Sequence, residues 1–84
     1  MKFTPNTIAE LNLLLQFDMS SLQTGIKVHH DAAPEVVAAA QSLFDKGLST
    51  LPDGGYLTDL GIEVTEHAQR LLAVLSTKPE QVLA

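Results

Sequence analysis

Between residues 43 and 61 the chain reads Leu-Phe-Asp-Lys-Gly-Leu-Ser-Thr-Leu-Pro-Asp-Gly-Gly-Tyr-Leu-Thr-Asp-Leu-Gly, and this stretch constrains the fold more than any other. Lys46-Gly47 is a helix stop: glycine adopts positive φ without a Cβ clash, and the lysine lies against the negative end of the helix dipole. Asp53-Gly54-Gly55 supplies the positive-φ positions of a tight turn, so short strands are expected over 48–51 and 56–58. Thr58 followed by Asp59 is a helix start, with a capping hydroxyl and then a negative charge in the first turn. Gly61 suits a helix start that passes close to a neighbouring backbone. Helix, stop, hairpin and capped helix predict a mainly α fold with a small β-hairpin between the last two helices.

The upstream half supplies two more elements. Thr4-Pro5 opens a first helix, and Thr7 with Glu10 offers an alternative capping box one turn later. Ile8, Leu11, Leu14 and Leu15 recur at helical spacing, Phe17 closes the run, and this stripe is expected to be buried. Residues 20–25 read as a loop or a single turn, and Ile26-Lys27-Val28 alternates as a very short strand would. Asp31 or one of its neighbours is expected to cap a second helix with Pro34 in its first turn, running to about Lys46 with Val36, Val37, Ala40, Leu43 and Phe44 on its apolar face. In the last helix Leu60, Val64, Ala68, Leu71, Leu72 and Leu75 form the predicted buried stripe, and Thr77-Lys78-Pro79 ends it. One domain over 1–78 and a frayed tail over 79–84 are expected.

Charge bears on function. Five basic residues (Lys2, Lys27, Lys46, Arg70 and Lys78) face ten acidic ones among 84 residues, a formal net charge of −5. Duplex DNA is held largely by lysine and arginine on phosphates, and this field repels polyanions and anionic membranes alike. No run approaches the ~20 apolar residues of a membrane span, and the first residues carry no signal-peptide core. The chain has no cysteine, so disulfides and thiolate metal sites are excluded. A reducing cytoplasm is the expected compartment.

The segment from Leu43 to Gly61 resembles the recognition-helix end, wing and following helix of winged-helix regulators. Gly25-Ile26-Lys27-Val28-His29-His30-Asp31, taken with Pro52-Asp53-Gly54-Gly55-Tyr56-Leu57-Thr58-Asp59-Leu60-Gly61, resembles a small family of uncharacterised gammaproteobacterial proteins over nearly the whole chain. That resemblance implies a bacterial cytosolic protein and brings no catalytic residues with it. The winged-helix pattern is not complete here. Residues 20–31, with Gly25 and a strand-like piece, stand where a helix-turn-helix needs a full helix. The helix in the recognition position offers one lysine against two acids, and the wing tip carries Asp53.

The candidate chemistry is sparse. His29, His30 and Asp31, with His67, are the one constellation that suggests metal, but successive residues of extended chain point to opposite sides, and the simpler reading is helix initiation with Asp31 as cap. Ser20, Ser21 and Thr24 read as turn residues, and Gly54-Gly55 is too short for a phosphate loop. No enzyme activity, metal or cofactor is expected. The function expected is a non-enzymatic interaction module that binds a protein partner or itself through the 34–46 helix and the hairpin, with Ala38, Ala39, Gln41, Ser42, Asp53 and Tyr56 as the contact residues. The alternative is a DNA-binding regulator using Lys27, Lys46 and Arg70, which fold analogy alone supports.

Overall fold

The computed structural model describes residues 1–77. In chain order the elements are α1 (Pro5–Leu14), β1 (Ile26–Lys27), α2 (Pro34–Asp45), β2 (Ser49–Leu51), β3 (Gly54–Leu57) and α3 (Asp59–Leu75). The fold is mainly helical with a small antiparallel sheet, and the arrangement is compatible with a winged-helix-like one. The tail expected over 79–84 lies outside the described residues.

Each helix boundary has a local cause. Thr4 caps α1, its hydroxyl accepting from the Thr7 N–H at 3.1 Å, with Pro5 opening the first turn. The Thr7–Glu10 capping box does not form. α2 starts at Pro34, and of the residues expected to cap it the position falls to Ala33, which gives no side-chain cap, and not to Asp31. The α2 terminus is a Schellman stop: the Leu48 N–H reaches the Leu43 carbonyl at 2.9 Å, the Gly47 N–H reaches Phe44 at 3.0 Å, and Gly47 has φ 77°. Thr58 caps α3 by accepting from the Gly61 N–H at 3.0 Å.

The sheet has the order β1-β3-β2, so the short strand before α2 adds to the hairpin along β3. Ile26 pairs with Gly55 and Lys27 with Gly54 on one side of β3, while Ser49 pairs with Leu57 and Leu51 with Gly54 on the other. The register shifts between Ser49 and Leu51 because β3 spends an extra residue there, a bulge. The glycine pair was expected in the turn but lies in β3 itself, still at positive φ (124° and 73°). Side chains at these positions would collide with Ile26 on one flank and Thr50 and Leu51 on the other. Tyr56 regains a partner for its N–H from the Thr50 hydroxyl at 2.9 Å.

The core lies between α1, α2 and the sheet: Leu13, Leu14, Ala39, Ala40, Leu43 and Leu48, with Ala9, Ile26, Val28, Val36, Leu57 and Val64 packed around them. Alanines on α2 let α1 approach closely. The predicted α1 stripe is buried at Leu14 and Phe17 and corrected at its other positions. Leu13, Leu14 and Phe17 are buried, whereas Leu11 and Leu15 are half-buried and Ile8 is exposed. On α2, Ala39 replaces the expected Phe44 in the interior. On α3 only Gly61, Thr65 and Ala68 are buried, so the stripe expected from Leu60 to Leu75 is largely uncovered.

Two substitutions test this packing. A Cβ on Gly61 would overlap the Leu48 carbonyl oxygen, a backbone atom that cannot rotate away. Gly61→Ala is expected to cost about 2–3 kcal/mol in urea denaturation. Thr65 is fully buried, and its hydroxyl has no hydrogen-bond partner. The near-isosteric Thr65→Val removes that unsatisfied group and is expected to raise stability by about 1 kcal/mol in the same assay.

Candidate functional site

The six residues expected to form a contact surface on α2 and the hairpin are dispersed. Ala38 and Gln41 face outward, Gln41 donating to Asp45 at 2.9 Å. Tyr56 is 48% exposed on β3, beside exposed Leu51. Ala39, at 4% exposure, is a core residue and cannot touch a partner, which corrects its place in the predicted surface. Ser42 is half-buried and committed to α1, and Asp53 is paired within the sheet. Gln41 and Asp53 line one shallow depression with His29 and His30, Tyr56 lines a second with Leu51, and Ala38 and Ser42 line a third.

The third depression contains a group that the sequence hid. Glu10 is 9% exposed, and a single oxygen, Oε2, accepts from the Ser42 hydroxyl at 2.9 Å and from Lys46 Nζ at 2.7 Å. Two donors from successive turns of α2 thus hold a carboxylate from α1, and charge-assisted bonds of this kind are the stronger ones. The cleft beside it, about 100 Å³ and lined by Asn6, Glu35 and Ala38, has room for a few waters. The carboxylate's role is to clamp two helices. A lone glutamate at helical spacing gives no sign of this, because its partners lie 32 and 36 residues downstream.

The cations expected to hold DNA are placed as follows. Lys27 on β1 pairs with Asp53, and Lys46 at the end of α2 pairs with Glu10. Arg70 is exposed on α3. His29 and His30 are exposed in the loop before α2, and His67 is on α3. Among the described residues no group of three or more His, Cys, Asp or Glu side chains is placed to hold a metal ion. Among the described residues no helix is long and apolar enough to cross a membrane.

The largest chemical anomaly is apolar. Ile8, Leu11 and Leu15 of α1 and Leu71, Leu72 and Leu75 of α3 line a groove of about 140 Å³ floored by Ala68. The α3 stripe is almost dry at Ala68, 6% exposed, then 39% at Leu71, 51% at Leu72 and 73% at Leu75. The same helical face therefore continues beyond the body it packs on. Val74 and Ile8, each 48% exposed, widen the patch. The periodicity of α3 located this stripe, but only the packing of the other elements decides which of its positions are covered.

The Lys27–Asp53 pair gives a pH test. Hydrogen bonding from Lys27 holds the Asp53 carboxyl below its ordinary value, against a smaller opposing effect of burial. A depressed carboxylate stabilises the fold fully above the ordinary aspartate value and loses that contribution as pH falls through the lower, folded-state value. NMR titration is expected to place the Asp53 midpoint below that of a free aspartate, and Lys27→Met is expected to move it back up.

The chain belongs to the family described as a family of unknown function (DUF5669), whose model matches residues 1–76. No curated protein and no solved structure matches it.

Proposed function

We propose that this protein is a non-enzymatic interaction module, and that it engages its partner through the apolar α1–α3 face rather than through α2 and the hairpin. The observation that carries this is the rise in exposure along a single helical stripe, from Ala68 to Leu75. Large contiguous apolar patches on a protein surface often mark interaction sites, and here Ile8, Leu72 and Val74 are each about half exposed and Leu75 is 73% exposed. A helix end that is apolar from Leu71 to Leu75, with all five residues exposed, is a surface awaiting cover. The α2–hairpin surface has less behind it, because Ala39 lies in the core and Ser42 and Asp53 are already bonded to Glu10 and Lys27. We place its action in the cytoplasm, in keeping with the cysteine-free composition, and we read the scaffold as winged-helix-like from the helix that precedes the hairpin and from the third strand on β3.

The DNA-binding alternative is weaker on the same grounds. Two of its three cations are engaged by carboxylates of this chain, and the net charge is −5. No mobility shift of duplex DNA is expected even at low salt, where electrostatic affinity is greatest. A shift lost in Arg70→Ala would overturn the proposal.

The contact face is tested in cells with a benzophenone amino acid at position 75 and, as a control, at position 50 in β2. A discrete covalent adduct is expected from position 75 alone, and Leu72→Glu is expected to abolish it. Adducts from position 50 only, or from neither, would sink the proposal.

A further inference from the structure

We infer that the Asp53–Gly54 linkage is a site of spontaneous covalent modification, isomerisation from an aspartyl to an isoaspartyl bond through a cyclic imide, and that the Lys27 ammonium paired with Asp53 restrains it. The inference is independent of the docking face.

The vulnerability follows from the sequence and from the turn. In imide formation the backbone nitrogen of the following residue attacks the carbonyl carbon of the aspartic acid side chain. The N–Cγ bond forms, the nitrogen gives up its proton, and the carboxyl hydroxyl leaves as water. A side chain on the following residue hinders that attack, and glycine has none. Of the aspartates and asparagines in this chain, only Asp53 precedes a glycine. The fold cannot escape by replacing that glycine. Gly54 has φ 124°, and a Cβ there would overlap the Ile26 carbonyl oxygen. Water also reaches the site, since the Asp53 side chain is 39% exposed.

The restraint follows from the sheet. A carboxylate anion is a poor electrophile, and its oxygen does not leave as water until it is protonated. Lys27, the β1 residue paired with Gly54, places its ammonium on Asp53 Oδ2. The pair keeps the carboxyl ionised, in keeping with a pKa below the ordinary aspartate value. The backbone is held too. The Asp53 carbonyl accepts from the Val28 N–H at 2.8 Å, and Gly54 pairs with Lys27 on one side and Leu51 on the other. These bonds limit how far the Asp53–Gly54 peptide plane turns to bring its nitrogen onto Cγ.

Hydrolysis returns one water to the imide at either of its carbonyls. Opening at the main-chain carbonyl routes the backbone through the side-chain methylene and leaves the former main-chain carbonyl as a pendant carboxylate. The acceptor of the Val28 N–H is then displaced, and the chain is longer where β3 begins. β1 has only two residues and pairs with β3 alone, so it is the element that should detach.

Incubation of the full chain in heavy-oxygen water, followed by peptide mapping in a mass spectrometer, tests this, because each passage through the imide leaves a heavy oxygen at the linkage. Slow labelling at Asp53, ahead of every other aspartate, is expected, with a peptide of residues 49–58 labelled several-fold faster. Lys27→Met should raise the rate in the full chain several-fold, and Lys27→Arg should keep it low. Lys2→Met, which removes the same charge outside the ion pair, should leave it unchanged. The Val28 amide should exchange its hydrogen faster in the isomerised chain, and unchanged exchange there would overturn the loss of β1. Label appearing first at another aspartate, or equally fast in Lys27→Met and wild type, would overturn the inference. So would a full chain labelled as fast as the peptide, a comparison that holds even if Lys27→Met fails to fold.

Discussion

Three parts of the chain converge on the carbonyl groups of Gly47 and Leu48. The Thr58 hydroxyl donates to Gly47 O at 2.6 Å, the Thr58 N–H donates to Leu48 O at 3.1 Å, and the Gly61 backbone lies against that same Leu48 carbonyl. One threonine therefore closes the end of α2, anchors the base of the hairpin and caps α3, since its hydroxyl oxygen also accepts from Gly61 N–H. A side chain at position 61 would push α3 away from this junction, and the direction in which α3 leaves the body would change. The position of the apolar face follows from that direction.

The distribution of burial explains why such a face exists. α1 and α2 meet closely through Leu13, Leu14, Ala39, Ala40 and Leu43, and the Glu10 clamp fastens them a second time. α3 has less to pack on. Its buried positions are Gly61, Thr65 and Ala68, and beyond Ala68 its leucines face Ile8, Leu11 and Leu15 across an open groove. The leucines beyond Ala68 keep the spacing of a buried stripe, and among the described residues they stay open to solvent. Hydrophobic burial is roughly proportional to the area removed from water, so any apolar partner that fits gains most at this place. The paired cations on the opposite elements make the remaining surface a poor site for a polyanion.

Several local features were legible in the sequence because their causes are local. Thr4-Pro5, Lys46-Gly47-Leu48 and Thr58 act through bonds to residues a few positions away, and all three work as expected. The need for glycine at position 61 was also legible, although the carbonyl it accommodates was not. Errors arose where the cause is distant. Asp31 has the chemistry of a cap, yet Pro34 starts α2 behind Ala33. Ala39 resembles an exposed small residue until α1 is laid across it. Glu10 resembles part of a capping box until Ser42 and Lys46 are brought beside it.

The sequence by itself determined where helices begin and stop, the sign of the surface charge and the periodicity of each apolar stripe, because each is set by the chain's own covalent order and nearest turns. Only the tertiary structure decided which of those apolar positions are covered. Periodicity assigns a residue to a face of its helix, but whether another element reaches that face depends on the lengths and directions of elements far away in the chain. Leu72 and Leu14 look equivalent in the sequence. One is 51% exposed and the other 2%, and the difference is made by where α1, α2 and α3 end relative to one another.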